Sequence, residues 1–175
     1  MFKRLVSPCL AGLLLAGAAS ALSATPGAPG LGAPLTPAVL AGIELTVLPT
    51  GEGLPSGEGS VTEGAALYQQ HCQACHGAEG QGGMNGDLVG GVGSLATAAP
   101  KKTVTSYWPY ATIAFDYIRR AMPYTAPGSL SADEVYAIVA YLLSRDDVVP
   151  KDAVLDAQGL AAVKMPNAEG FYPGE

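Results

Sequence analysis

The chain has 175 residues, which is enough for one domain and short for two. Its formal net charge of −6 at pH 7 argues against nucleic acid and anionic membrane surfaces as partners. The whole sequence contains three cysteines, so a fold held together by several disulfides is excluded as well.

The first 24 residues have the layout of a secretory signal peptide. Lys3 and Arg4 precede an apolar run that ends in small residues, and cleavage is expected after Ala21 or Ala24. A retained membrane anchor is the alternative, because about 18 apolar residues are the lower limit for spanning a bilayer. Cleavage would leave an exported, periplasmic protein without a membrane segment and with two of its three cysteines.

Residues 25–59 are rich in Gly and Pro and form a predicted extension. Within it, Thr36 and Pro37 predict the start of a short helix, since a cap residue precedes a first-turn proline. Residues 43–48 alternate apolar and polar side chains for most of their length, which suits an extended strip lying on a core. Residues 54–57 then predict a turn.

The first core helix is predicted to begin at a capping box formed by Ser60 and Glu63. Its apolar face comprises Val61, Ala65, Tyr68 and Cys72. Gly64 lies one turn before Tyr68, where it either lets another helix approach closely or is a tolerated defect.

This helix leads into Cys72-Gln73-Ala74-Cys75-His76, a C-x-x-C-H run typical of c-type haem attachment. Two thiols three positions apart lie on one side of a helical turn, where both can add to the vinyl groups of one porphyrin. His76 can then bind the iron. A thioredoxin-like dithiol would need a flanking βαβ pattern, and a zinc site would need a second Cys or His pair. We therefore predict one haem c, attached covalently through Cys72 and Cys75.

An irregular loop is predicted at residues 77–93, which include eight glycines, and we expect it to pack on the His76 side of the haem. Residues 110–120 then predict a helix that stops at Met122, because Pro123 disfavours helix in the residue before it. The predicted apolar face of that helix comprises Ile113, Tyr117, Ile118 and Ala121.

The last core helix is predicted from a second capping box, Ser131 with Glu134. Apolar residues follow at helical spacing, namely Val135, Ile138, Val139 and Leu142. The tail from Val148 onward shows little periodicity, so we expect it to be irregular and to wrap the surface.

The second axial ligand decides what such a haem does, and Met122 is the leading candidate. It lies between two predicted helices, where Pro123 would hold its backbone extended toward the distal face. Met165 also precedes a proline and is the alternative, whereas Met84 lies too close to His76 along the chain.

Other side chains near the motif have two interpretations. His71 could in principle make a bis-histidine haem, but its place beside the motif favours a solvated side chain. Tyr107 and Trp108 could bond a haem propionate, and core packing is favoured. Arg119 and Arg120 could neutralise a propionate or contact a partner, and a solvated helix end is favoured.

A helix ending in C-x-x-C-H, an isolated Met after a mid-chain helix and an amphipathic last helix together resemble the class I cytochrome c fold. The resemblance implies a mainly α fold of three to five helices around one haem, spanning residues 60–147, between irregular extensions at 25–59 and 148–175. In that family the first and last helices cross. Gly64 and Tyr68 would then meet a face made by Ile138, Tyr141 and Leu142.

The flanks of the motif narrow the resemblance. Over roughly residues 31–172 the chain is similar to the cytochrome subunit of molybdenum-containing sulfite and sulfane dehydrogenases of the Sox and Sor type. The stretches that carry this likeness are residues 54–60, 107–112, 115–123 and 163–167. The likeness implies a molybdenum-cofactor subunit as electron donor, a downstream cytochrome or oxidase as acceptor, and no enzyme activity of this chain by itself.

One stretch departs from the pattern. Many cytochromes c carry Pro in the glycine loop where this chain has Asn85-Gly86-Asp87-Leu88. The sequence therefore does not identify the carbonyl that orients His76.

Two other functions stay open at this stage. A haem enzyme of the peroxidase or thiosulfate-converting type would need an exchangeable sixth position, with Met122 off the iron. A free soluble electron shuttle would have dispensable extensions. For the favoured His/Met haem, apolar surroundings and thioether ligation predict a positive, high redox potential.

Overall fold

The structure, a computed structural model, describes residues 32–43 and 45–171. Residues 32–35 belong to an N-terminal unit and contain neither helix nor strand, while the described residues from Thr36 onward form a second, compact unit. The predicted signal peptide lies outside the described residues. Within the described ranges, no helix has the length and apolar character needed to cross a membrane.

The second unit is mainly helical, which confirms the predicted fold class. Its elements in chain order are α1 (Pro37–Ile43), β1 (Glu58–Ser60), α2 (Val61–His71), α3 (Gln73–His76), α4 (Val104–Tyr107), α5 (Ala111–Ala121), α6 (Ala132–Arg145), β2 (Val154–Asp156) and α7 (Ala157–Ala162). The predicted division of the chain into extensions and a cytochrome domain stays a prediction.

Both predicted capping boxes are present, and they fix the starts of the two main helices. At α2 the Ser60 hydroxyl accepts the Glu63 amide at 3.2 Å, and the Glu63 carboxylate accepts the Ser60 amide at 2.9 Å. At α6 the corresponding bonds between Ser131 and Glu134 measure 3.3 and 2.7 Å. These reciprocal bonds satisfy amides that a helix start otherwise leaves unpaired.

Helices α2 and α6 cross as the sequence predicts. Gly64 lies against the backbone of Ala137 and the side chain of Tyr141, and the rings of Tyr68 and Tyr141 are 5.1 Å apart. All four apolar residues predicted for the core face of α6 are buried, namely Val135, Ile138, Val139 and Leu142. The crossing therefore forms the centre of the core.

The buried face of α5 differs from the predicted one. Ile118 is buried as expected, but Tyr117 is 48% exposed, and Ile113 and Ala121 are half-buried. The residues that α5 buries with Ile118 are Ala111, Thr112, Ala114 and Phe115. Small side chains and one large ring form this face, so the spacing of the apolar residues alone does not identify it.

The segments before and after the core pack on it and on each other. Thr36 caps α1 as predicted, and Val47 of the predicted strip is buried, with its amide donating to Asp116 at 3.1 Å. The tail is more regular than expected, because β2 pairs antiparallel with β1 and α7 follows directly. Leu160 and Met165 of the tail lie in the core.

Candidate functional site

The predicted attachment motif spans the end of one helix and a single short helix after it. Cys72 is both the C-cap of α2 and the N-cap of α3, and its carbonyl accepts the amides of Cys75 and His76 at 3.1 and 3.0 Å. Gly77 ends α3 with a φ of +82°, a conformation that favours glycine. This tight turn brings both thiols and the imidazole to one side of the chain.

A cavity of about 550 Å³ lies beside this turn. It is lined by His71, Cys72, Cys75, His76, Asn85, Leu88, Val104, Trp108, Tyr117, Ile118, Met122, Pro123, Tyr124, Thr125, Leu130, Ile138 and Leu142. All four predicted site residues, Cys72, Cys75, His76 and Met122, thus face one space. The rest of the wall is predominantly apolar, as a largely hydrophobic cofactor requires.

The structure identifies the carbonyl that the sequence left unnamed. His76 Nδ1 lies 3.2 Å from the carbonyl oxygen of Gly86. A carbonyl can only accept, so Nδ1 is the donor of this bond, and in the neutral ring Nε2 is the nitrogen with a lone pair that can bind a metal. Nothing local in the sequence marks Gly86 for this role, because the bond depends on how the glycine loop folds back over the motif.

The Cys72 thiol lies in a setting that keeps it uncharged. Burial raises the pKa of the Cys72 thiol to about 11, and the neighbouring Cys75 thiol adds to the rise. Cys72 is therefore protonated at neutral pH, and it brings no negative charge into the apolar wall. A neutral Cys72 thiol fits this apolar wall, and so would the neutral thioether that it is predicted to form.

Met122 has the backbone conformation that the following proline predicts. It is the C-cap of α5, with φ −124° and ψ 149°, and its amide donates to the Ile118 carbonyl at 3.0 Å. Among the methionines of the described chain, Met122 alone lines the cavity. Met84 is 83% exposed, and Met165 is 4% exposed within the core.

Three further residues discussed from the sequence, His71, Trp108 and Tyr117, also line the cavity. His71 is half-buried and lines the cavity, so its side chain is only partly exposed to solvent. Trp108 and Tyr117 both line the cavity and form an edge-to-face pair with ring centroids 5.9 Å apart. The two rings thus form part of the cavity wall.

The two adjacent arginines lie outside the cavity lining. Arg120 forms an ion pair with Asp116, one helical turn earlier, and Asp116 also accepts the Val47 amide. Arg120 thus helps attach the segment before the core to α5. Tyr107 is likewise outside the lining, and its ring packs on Phe171 at 5.3 Å with the Lys102 ammonium 4.9 Å from its centre.

The donor set suits a c-type haem. Cys72 and Cys75 are available for thioether bonds, the His76 imidazole is oriented by a backbone carbonyl, and Met122 lines the same apolar space. No cluster of three or more His, Cys, Asp or Glu that could hold a bare metal ion occurs among the described residues. The assignment of Cys72, Cys75, His76 and Met122 to individual roles stays a prediction.

Comparisons with known proteins agree with this chemistry. The family model "Cytochrome C oxidase, cbb3-type, subunit III" matches residues 59–142. A thiosulfate dehydrogenase from Allochromatium vinosum is 29% identical over 113 residues, covering 59% of this chain, and the chain spans 39% of that relative's length.

Among solved structures, the sulfane dehydrogenase SoxCD from Paracoccus pantotrophus is similar in both sequence and fold. The two are 42% identical with a TM-score of 0.79. The match covers 85% of this chain and 73% of the other.

Proposed function

Because this chain belongs to the class I cytochrome c family, and within it to the cytochrome subunits of Sox- and Sor-type molybdenum dehydrogenases, we propose that it accepts single electrons from such a dehydrogenase subunit. That partner subunit would oxidise sulfite or a protein-bound sulfane sulfur. The electron would then pass to a downstream cytochrome or oxidase outside the cytoplasm.

One observation carries the proposal: a single cavity is lined by Cys72, Cys75 and the oriented His76 at α3 and by Met122 at the end of α5. When bound, haem c supplies a reversible one-electron couple. His76 and Met122 are the residues that would hold the iron, and ligands that stay bound would let an electron enter or leave with little rearrangement.

The chain's own residues would set how easily that electron is held. Gly86 orients His76 through the Nδ1 proton, and the apolar wall, which includes Ile118 and Ile138, disfavours the extra positive charge of the oxidised state. We therefore expect a positive midpoint potential. A redox titration that returns a strongly negative midpoint would contradict this assignment.

Attachment of the haem has a direct test. The purified protein should keep its pigment in acidified acetone, and its pyridine haemochrome spectrum should indicate one haem per chain. Cys72→Ala and Cys75→Ala should each leave one thioether bond, and the double variant should release the pigment. A colourless wild-type protein, or pigment that washes out of it, would overturn the proposal.

The partnership with a dehydrogenase subunit is supported by the extent of the similarity, which reaches well beyond residues 59–142 of the family match. We expect a stable heterodimer when this chain is co-expressed with a molybdenum-cofactor dehydrogenase subunit of the Sox or Sor type. Gel filtration should give one peak that contains both chains. Two separate peaks would instead favour a free shuttle, as would electron acceptance that survives removal of residues 25–59.

A second candidate function, a thiosulfate-converting haem enzyme, is favoured by the likeness to the Allochromatium thiosulfate dehydrogenase. It would require an exchangeable sixth position. The wild-type protein should then be high-spin and should bind carbon monoxide or cyanide readily. Under the electron-transfer proposal it should be low-spin and bind them poorly, and Met122→Ala should provide the positive control for binding.

A further inference from the structure

The glycine loop at residues 77–93, which contacts His76, is held in place by an ion pair between Asp87 and Lys101. Asn85 donates its amide to the Cys75 carbonyl at 3.0 Å, and Leu88 donates its amide to the Gly80 carbonyl at 2.8 Å. Gly86 and Asp87 lie between these two backbone bonds. Because the loop is rich in glycine, its backbone would lose much conformational freedom on being fixed in one shape.

The Asp87 carboxylate supplies the anchor between those bonds. Its Oδ1 accepts the amide of Gly82 at 2.7 Å, and its Oδ2 lies 2.7 Å from the ammonium of Lys101. The Lys101 ammonium, which donates a hydrogen bond, and the Gly82 amide both hold the pKa of Asp87 below its usual range. Asp87 is therefore charged at neutral pH, and it ties two parts of the loop together next to Gly86.

Lys101 is itself held firmly at its backbone. Its amide donates to the Ser94 hydroxyl at 2.9 Å, and its carbonyl accepts the Ser106 hydroxyl at 2.6 Å. A Cβ built on Gly91 would lie 2.7 Å from the Cβ of Lys101, so a glycine there leaves the space that the lysine stem occupies. The ion pair thus connects the loop to the segment that leads into α4.

From this geometry we infer that Asp87 and Lys101 are positioning residues for the haem ligand: their ion pair fixes the Gly86 carbonyl and thereby the bond that orients His76. The inference rests on the proposed function. A strong Nδ1–H···O bond makes the imidazole a better electron donor to iron, which stabilises the oxidised state and lowers the potential. Loosening the loop should weaken that bond and raise the potential.

The sign of the change in midpoint potential distinguishes a positioning role from a simple electrostatic effect of the lost charge. Removing a positive charge near a haem by itself lowers the potential, because the extra charge of the oxidised state is then less repelled. Lys101→Gln removes a positive charge but also releases the loop. Positioning therefore predicts a rise in the midpoint potential of Lys101→Gln, opposite to the electrostatic expectation.

The chain offers a matched control in the next residue. Lys102→Gln removes the same charge, yet the Lys102 ammonium lies over the Tyr107 ring and not on the loop. We expect its potential to fall slightly or stay unchanged. Lys101→Arg should keep the ion pair and the wild-type potential, and Asp87→Asn should raise the potential.

The experiment is a spectroelectrochemical titration of the four holoprotein variants beside the wild type. In the same samples, NMR should follow the exchange of the His76 Nδ1 proton with solvent. In Lys101→Gln and Asp87→Asn we expect this exchange to speed up by a factor of roughly ten, the equilibrium factor of one typical hydrogen bond. Lys102→Gln and Lys101→Arg should leave it unchanged.

A fall in potential for Lys101→Gln that equals that of Lys102→Gln, with unchanged proton exchange, would overturn the positioning role. That result would leave the proposed function intact, since the haem would still be attached and active in electron transfer. Failure of the proposed function would show earlier, as a wild-type protein without covalent haem.

Discussion

Gly64 lies in direct contact with the main chain of Ala137, at the point where α2 crosses α6. A methyl group built on Gly64 would overlap the Ala137 carbonyl oxygen and would lie 2.8 Å from the Cβ of Tyr141. The obstacle is mostly backbone, so it cannot move aside as a flexible side chain would. Of the two interpretations that the sequence leaves open, close helix approach is the correct one.

Gly64→Ala should therefore destabilise the protein even though alanine is the better helix former. The overlap should cost about 1–3 kcal/mol of unfolding free energy, more than the gain of up to about 1 kcal/mol in helix propensity. Denaturant unfolding followed by circular dichroism measures the difference. Gln69→Ala, at an exposed site on the same helix, should change stability by less than about 0.5 kcal/mol. A stabilised Gly64→Ala protein would mean that the helices do not approach this closely.

The two competing methionines should give different phenotypes. Met122→Ala should abolish the weak far-red sulfur-to-iron band of the oxidised spectrum, because its side chain lines the cavity. Met165 is 4% exposed in the core, so Met165→Ala should cost about 2–5 kcal/mol of stability and leave the band in place. Loss of the band in Met165→Ala alone would transfer the ligand role to that residue.

Acid should weaken the fold partly through the capping box of α6. The amide and hydroxyl of Ser131 bond the Glu134 carboxylate and lower its pKa from the ordinary value of 4.5. A lowered folded-state pKa gives stability that is complete above the unfolded pKa and is lost as the pH falls through the folded one. Wild-type stability should therefore fall below about pH 4.5.

Comparison with Glu134→Gln isolates this contribution. A glutamine oxygen can still accept the Ser131 amide, but it does not titrate. The stability gap between the two proteins, measured by urea unfolding, should be widest near pH 6 and should shrink as the pH approaches 3. Glu63 and Asp87, whose pKa values are also lowered, titrate in both proteins and cancel in the difference. A gap that is constant with pH would show that Glu134 makes no such contribution.

The tail contributes to the core instead of merely covering it. Leu160 of α7 is 1% exposed, so Leu160→Ala should cost about 2–5 kcal/mol of unfolding free energy. Lys164→Ala, at an exposed position four residues later, is the control and should have little effect. Equal stability of the two variants would indicate that the tail detaches from the core in solution.

Structural features that depend on only a few residues adjacent in sequence could be predicted from the sequence. The capping boxes at Ser60 and Ser131, the motif at residues 72–76 and the helix stop at Met122 each depend on local chemistry, so the pattern determines them. The bond between His76 and Gly86 and the pairing of β1 with β2 join distant segments. No period or motif encodes such a partner, and the three-residue strands are too short to alternate visibly.

The face of α5 shows a different limit. Helical spacing predicts Tyr117 on the core face of α5, yet Tyr117 lines the cavity and pairs with Trp108. Hydropathy alone does not distinguish a side chain that packs in a core from one that borders a site. His71 shows the same limit, because its position beside the motif favours a solvated side chain, yet His71 lines the cavity.

The strand pairing has a consequence for the segments that precede β1 and follow β2. Glu58 and Asp156 are register partners, so the segment before α2 and the segment after α6 lie side by side at the two strands. A Cβ on Gly51 would lie 2.8 Å from the Cβ of Ala161, so the leading segment and α7 are packed together there. A single proteolytic cut between the leading segment and β1 should therefore leave two fragments that migrate as one species on a native gel and separate only in detergent.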